Sequence, residues 1–263
     1  MRLPATGQHP PVGFVLFLFY NADMQYVLDF GSPSPLVIVH DCLKAHYGRD
    51  WPLSTRSDPI DHLVFAMTSS RTIGKVSVDA FCKLRAEFQP WDLMIKAPYE
   101  EVHTCIQNIT YADTYANFIP AALRLIKEKE GTLSLDFLKE WTVPKAQAWL
   151  EKLPGVGPKI SAYVLNTSKL HMPALIVDTH HWRVAKLLGL TTQGMSFEKA
   201  ASCFERQIPN TWTAKDREDH HFMIKQIGLD FCKDGHLRCP SCPLRNDCAY
   251  GKTTIASKRR TNL

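Results

Sequence analysis

The sequence predicts an all-α fold, and three observations predict it. Apolar residues recur at helical spacing through most of the chain, strand-type alternation of apolar and polar residues is rare, and helix start signals precede the periodic stretches. In order, "SPLVIVHDCLKAHYG" opens on Ser34 and Pro35 and closes on Gly48, as a capped helix should. "SDPIDHLVFAMTSS" repeats the start signal with Asp58 before Pro59, and Ile60, Leu63, Val64 and Met67 form its apolar face. Further helices are expected over Lys75–Phe88, Tyr99–Asn108, Tyr115–Glu128, Ser134–Glu140 and Pro144–Lys152. Short turns join them, and no low-complexity tract or repeat interrupts the series.

At 263 residues and 45% hydrophobic content the chain can bury a sizeable core. Its net charge of +5 and pI near 8.7 suit a polyanionic partner. A membrane partner is not expected: a span needs roughly 18 to 20 apolar residues. The longest run here, "GFVLFLFY" at Gly13–Tyr20, is broken off by Asn21 and Asp23. No small-x-small cleavage site follows that run, so residues 1–33 read as an N-terminal extension, disordered or not translated, with Met24 a natural alternative start. "ASKRRTNL" at the other end reads as a solvated basic tail.

The eight cysteines are unevenly placed. Cys42, Cys82, Cys105 and Cys203 are scattered and expected to be ordinary buried thiols, whereas Cys232, Cys239, Cys242 and Cys248 fall within 17 residues as C-x6-C-x2-C-x5-C. Such crowding in a chain without an export signal reads as ligation and not as a disulfide framework. Four thiolates can wrap tetrahedral zinc or a cubane iron–sulfur cluster; a single C-x-x-C with longer arms tilts towards iron–sulfur. Lys233, Arg238 and Arg245 make these loops basic.

"LPGVGPK", Leu153–Lys159, lies between two helical stretches. Pro154 ends one helix, Gly155 and Gly157 allow backbone conformations closed to other residues, and Pro158 suits the first turn of the next. Backbone N–H groups in such a turn, with the positive end of the new helix, form a phosphate clamp; an ordinary helix–helix connection is the plainer reading of the heptapeptide alone. Lys159 stands where the helix dipole disfavours positive charge, so partial desolvation would yield a neutral amine. Asp178, in "LIVDTHHWRV", reads as a helix N-cap that can also face a cleft. His180, His181, His220 and His221 read as packing or phosphate contacts, Trp182 and Trp212 as core.

Taken together and in this order, "LPGVGPK", "VDTH" and C-x6-C-x2-C-x5-C closely resemble the endonuclease III family of helix-hairpin-helix DNA glycosylases, over about Ser34–Tyr250. The resemblance implies two helical domains with the active-site cleft between them. A six-helix domain with the hairpin would span 57–172, an iron–sulfur cluster domain 34–56 and 173–252, and the basic tail 253–263. It implies a [4Fe–4S] cluster on Cys232, Cys239, Cys242 and Cys248, a hairpin gripping DNA phosphate through Gly155, Val156 and Gly157, Lys159 as nucleophile and Asp178 as essential carboxylate. The partner would be damaged double-stranded DNA and the protein a monomer, working where DNA is kept: the bacterial nucleoid, or the eukaryotic nucleus or an organelle.

The chain departs from the family pattern at Arg71, Tyr111 and Tyr115, the last standing where a lysine is frequent. "SSRT" puts Arg71 where many relatives carry a glutamine that enters the DNA gap, and "ITYADTYANFI" puts Tyr111 at the second wedge where a smaller apolar residue is common. Arg71 can fill the space of a flipped base, and Tyr111 can stack on bases or pack in the helical core. The activity implied is base excision of damaged, oxidised pyrimidine bases with β-elimination at the abasic site. A monofunctional mismatch glycosylase of the same superfamily would lack Lys159, and a non-catalytic iron–sulfur DNA-binding protein would need neither Lys159 nor Asp178.

Overall fold

The computed structural model describes residues 18–19, 27–28, 33–48, 56–192, 194–233 and 235–253. Most of the segment read as an N-terminal extension, and the basic tail after residue 253, lie outside these residues. The described part of the extension is a short antiparallel ladder pairing Leu18–Phe19 with Val27–Leu28.

The chain is helical, as the sequence predicts, because its punctuation works locally. Helix α1 (Pro35–Tyr47) starts where the Ser34 hydroxyl accepts from the Val37 N–H at 3.3 Å, and stops at Gly48, whose φ of +88° suits glycine. Helix α2 (Pro59–Thr68) starts where the Asp58 carboxylate accepts from the Ile60 N–H at 2.9 Å. Then come α3 (Gly74–Phe88), α4 (Tyr99–Ile106), α5 (Ala112–Glu130), α6 (Val143–Leu150) and α7 (Pro158–Thr167). They are followed by α8 (Thr179–Leu188), α9 (Phe197–Gln207) and α10 (Ala214–Asp230).

Two elements differ from expectation. Helix α5 begins at Ala112, three residues before the expected Tyr115, with Asp113 in its first turn where the positive helix end favours a carboxylate. The stretch expected as a helix over Ser134–Glu140 is a 3-10 helix at Asp136–Glu140. There the Ser134 hydroxyl accepts from the Asp136 N–H, and the following bonds close i to i+3, Trp141 N–H donating to the Leu138 carbonyl.

The apolar residues collect in separate cores. One is built from α2 to α7 and extends to Ile176; Leu63, Met67, Leu123 and Leu165 are fully enclosed in it. Helices α1, α8, α9 and α10 form the others, around Leu43, Ile224 and Ile227 on one side and Leu36 and Phe204 on the other. Helix α1, early in the chain, thus packs with helices from its far end. Among the described residues no helix is long and apolar enough to cross a membrane.

Polar groups tie these parts together. Arg56 donates to the Asn166 carbonyl at the end of α7 (2.8 Å) and to the buried Glu218 carboxylate of α10 (2.6 Å). The Asn166 amide donates to the carbonyls of Ala174 (3.0 Å) and Ala214 (2.9 Å). Removing one member of a buried pair leaves an uncompensated charge, at a cost of about 3–5 kcal/mol where both ends are enclosed. Arg56 is about a quarter exposed. Arg56→Ala is therefore expected to destabilise the fold by about 3 kcal/mol, the low end of that range, in denaturant titration. A loss below 1 kcal/mol would show that the joint does not depend on this pair.

Candidate active site

The turn between α6 and α7 is fixed by its glycines in different ways. Gly155 has φ +76°, and a Cβ there would stand 2.7 Å from a ring carbon of Phe118, so backbone and packing both demand glycine. Gly157 is N-cap of α7 at φ −107°, and a Cβ there would meet nothing within 4 Å. Its side of the turn is open. Val156 is buried, and its N–H donates to the Leu153 carbonyl at 3.1 Å. Among the described residues the N–H groups of Gly155, Gly157 and Lys159 have no protein acceptor. Three free donors at the positive end of a ten-residue helix make a place for an anion.

Lys159 is the second residue of α7, and its half-buried side chain reaches Ser69, just past the end of α2. The amine donates to the Ser69 hydroxyl at 3.5 Å and lies 5.5 Å from the centre of the Tyr163 ring. Ser69 itself donates to the Ala66 carbonyl at 3.0 Å, which leaves its lone pairs for the amine. Burial pushes the Lys159 pKa down to about 8; the Asp178 charge works against this and the Lys225 charge adds to it. A usable fraction of neutral amine therefore exists near neutral pH.

Asp178 is N-cap of α8, one of its oxygens accepting from the His181 N–H at 2.8 Å. Burial raises its pKa, but the His221 ring and that N–H outweigh burial and hold the carboxyl below its ordinary value. His221, on α10, is buried and pushed down to about 4, chiefly by burial. Its Nδ1 lies 3.0 Å from the Ile176 carbonyl oxygen; a carbonyl only accepts, so Nδ1 carries the proton. The segment before α8, α8 itself and α10 thus meet α2 and α7 at Lys159.

Two of the residues at which the chain departs from the family pattern, Arg71 and Tyr111, touch each other. Arg71, in the loop after α2, has φ +52°, an uncommon conformation for a non-glycine residue, and is exposed. Its guanidinium donates to the Tyr111 hydroxyl at 3.1 Å. Tyr111 is 40% exposed at the start of α5, so of the readings the sequence leaves open, packing in the core does not describe it. The two loops are laced together, the Thr110 hydroxyl donating to the Arg71 carbonyl at 2.8 Å and the Thr110 N–H to the Thr72 hydroxyl at 3.1 Å.

The four clustered cysteines line one small pocket, with Leu187, Phe231 and Tyr250 among its walls. None is in a disulfide. Cys232 and Lys233 pair with Leu237 and His236 in a short hairpin after α10, and Cys239 opens a 3-10 turn. Burial, then the neighbouring thiols, push Cys232 up to about 12. The Gly251 N–H donates to the Cys248 sulfur at 3.4 Å. Among the described residues no three His, Cys, Asp or Glu side chains stand close enough to hold a single metal ion. Of the cysteines expected to be ordinary buried thiols, Cys42, Cys105 and Cys203 are half-buried and Cys82 is exposed, on the outer side of α3 beside the Asp79–Lys83 ion pair.

No family model matches the chain. Endonuclease III of Rickettsia felis is 38% identical over 117 residues, 44% of this chain and 52% of that one. Endonuclease III of Bacillus subtilis is 29% identical over 201 residues, 74% of this chain and 83% of that one. These likenesses support the endonuclease III family as the one this chain resembles. The chain spans about half the length of the Rickettsia felis relative and more than four fifths of the Bacillus subtilis endonuclease III. A solved non-covalent endonuclease III–DNA complex shares its fold at TM-score 0.69 and 24% identity, covering 84% of this chain and 98% of the other. A thermostable thymine-DNA glycosylase does so at TM-score 0.68 and 17% identity, covering 83% and 97%.

Against the endonuclease III pattern, sequence reasoning passed over Ser69, Tyr163 and Lys225, and left His221 as packing or phosphate contact. The signals were present: Tyr163 follows Lys159, and Lys225 follows His221, by four residues, which is one helical turn. Asp178 holds a cap and a charge at once, and the two separate by substitution. Asp178→Asn keeps an acceptor for the His181 N–H and is expected to leave stability within about 0.5 kcal/mol, whereas Asp178→Ala should cost about 0.5–2 kcal/mol. Equal losses in thermal or denaturant unfolding would show that the cap is not what Asp178 contributes to the fold.

Proposed function

We propose that this chain is a base-excision-repair DNA glycosylase with AP lyase activity, acting as a monomer on damaged bases, oxidised pyrimidines above all, in duplex DNA. The observation that carries the reading is Lys159: an amine made partly neutral by burial, beside an ionised Asp178, at the end of a turn with three free N–H donors. Chemistry at C1′ of a nucleoside requires the base to leave the stack. The hairpin donors suit the backbone phosphate of such a strand, and the exposed Arg71–Tyr111 pair suits the gap.

In this scheme the Lys159 nitrogen bonds to C1′ as the C1′–N bond to the base breaks and the base leaves with that electron pair. Asp178 stabilises the positive charge that develops on the sugar. Opening of the sugar ring leaves an imine between Lys159 and C1′. The imine acidifies the C2′ proton; its removal expels the 3′ phosphate, and water then releases the amine. One nitrogen serves both steps, which a monofunctional glycosylase or a purely binding protein would not require.

The cysteine cavity suits a [4Fe–4S] cluster. Four free cysteines line one pocket, burial and then the neighbouring thiols hold Cys232 in its thiol form until a cationic centre takes it up, and the single C-x-x-C with longer arms favours iron–sulfur over zinc. Cys232, Cys239, Cys242 and Cys248 would hold it, and when bound it supplies cross-linking of the loops and no step of the reaction.

Incubation with duplex DNA carrying an abasic site or an oxidised pyrimidine, followed by borohydride, is expected to trap a covalent adduct that Lys159→Ala abolishes. The trapping rate should rise with pH through about 8, because Lys159 is protonated below that value and neutral above it. Base release without an adduct would favour the monofunctional alternative, and binding with neither would favour a non-catalytic protein. For the cluster, purified protein should contain iron and absorb at the blue edge of the visible. Cys242→Ser is expected to lose the iron and lower the unfolding midpoint. Iron-free protein of unchanged stability would remove the cluster from this account.

A further inference from the structure

Helix α10 carries His221 and Lys225 four residues apart, on one face. His221 fixes where that face looks, since its Nδ1–H reaches the Ile176 carbonyl, two residues ahead of Asp178. Lys225 stands one turn further along the same face, on a helix that also contacts α7, which carries Lys159. Its side chain is exposed, and among the described residues it has no ion-pair or hydrogen-bond partner. Nearby lysines differ: Lys44 is paired with Asp216, Lys215 with Asp219, and Lys169 with Asp58 and Asp136. An unpaired ammonium on this face, near the Lys159 amine, lacks a counter-charge among the described residues, and a polyanionic strand supplies one.

We infer that Lys225 binds a phosphodiester next to the extruded nucleotide and is the second cation of this site. The inference rests on the glycosylase–lyase reading above and adds to it a residue outside the motifs that carry the family resemblance. Lys225 also bears on Lys159 in the free protein. The groups facing the Lys159 amine are Asp178, whose charge favours the ammonium, Lys225, whose charge disfavours it, the largely neutral His221, and Tyr163, raised to about 12 chiefly by burial and so un-ionised. Burial remains the larger cause, and Lys225 acts in the same direction. Lys225 is thus a positioning residue for the nucleophile as well as a contact for the strand.

The test compares the full-length protein with Lys225→Gln and Lys225→Arg. Binding to duplex DNA with an abasic site is measured across salt concentrations; each phosphate contact contributes about 0.9 to the slope of log affinity against log salt. Lys225→Gln should flatten the slope by about one contact, and Lys225→Arg should keep it. The pH profile of kcat/KM for strand cleavage, which reports the free enzyme, should shift its rising limb to higher pH in Lys225→Gln and stay in place in Lys225→Arg. A lost structural role would move neither the slope nor the limb in this charge-dependent way. An unchanged slope, an unmoved limb, or an arginine variant behaving like the glutamine variant overturns the inference. Failure of the wild-type protein to form a borohydride-trapped adduct would instead overturn the lyase reading, while the salt slope still judges the phosphate contact.

Discussion

Removing a lysine amine from water is what gives it chemistry near neutral pH, and the rest of this structure can be read as the means of doing so at one point. Lys159 lies where the core of α2 to α7 meets the helices of the other cores. Neither part alone would enclose it: α2 brings Ser69 from one side, and the start of α8 and the face of α10 close the other. Burial alone lowers the amine's pKa, yet burial of a charge without relief is costly, so the groups around it must tolerate both protonation states. A serine hydroxyl whose proton is committed to Ala66, a phenol ring and an ionised carboxylate do this without forming a tight ion pair that would lock the amine in its charged form.

The same economy governs Asp178. A carboxylate placed in a partly buried seam tends to take up a proton, and here a helix N-terminus supplies the donor that keeps it ionised. The cap therefore fixes the first turn of α8 and sets the charge state of a group that faces Lys159. His221 extends the arrangement: the Ile176 carbonyl holds its Nδ1 proton and so fixes the ring's orientation beside the carboxylate, while burial keeps its pKa below the ordinary value.

Local rules made most of the fold legible. Ser34, Asp58 and Asp178 cap helices where sequence says they should, because each cap bond spans only two or three residues. The early start of α5 and the 3-10 geometry at Asp136–Glu140 were not legible, since both depend on packing against neighbours and not on the period of the apolar pattern. In the site, the role of Gly155 follows from the conformational freedom the sequence suggests, although Phe118 as its second reason lies 37 residues away and could not be seen; Gly157, expected to need the same freedom, is extended at φ −107°, open to any residue. Lys225 and Ser69 were hidden for the same cause: what singles them out is a neighbour far away in sequence, and an exposed lysine or a helix-end serine has no signature of its own.

The helices outside the α2–α7 core are an unusual environment for so many imidazoles. His40, His181 and His220 are buried, with ring nitrogens that have no partner among the described residues, His181 stacking on Phe204 at 4.8 Å and His40 tilted against Trp212 at 4.3 Å. Burial holds all three rings below their ordinary pKa, so they are neutral and contribute shape and stacking without charge. Unsatisfied ring nitrogens cost stability, and Cys242 and Cys248 themselves stand among the apolar residues that pack α1, α8 and α10 together. A covalent cage on the four cysteines would fasten the last turn of α10 to the loops beyond it, and through Leu187 to α8, the helix that Asp178 caps. The far end of the fold would then bear on the reaction through rigidity alone, by keeping the carboxylate and the α10 face in place against Lys159.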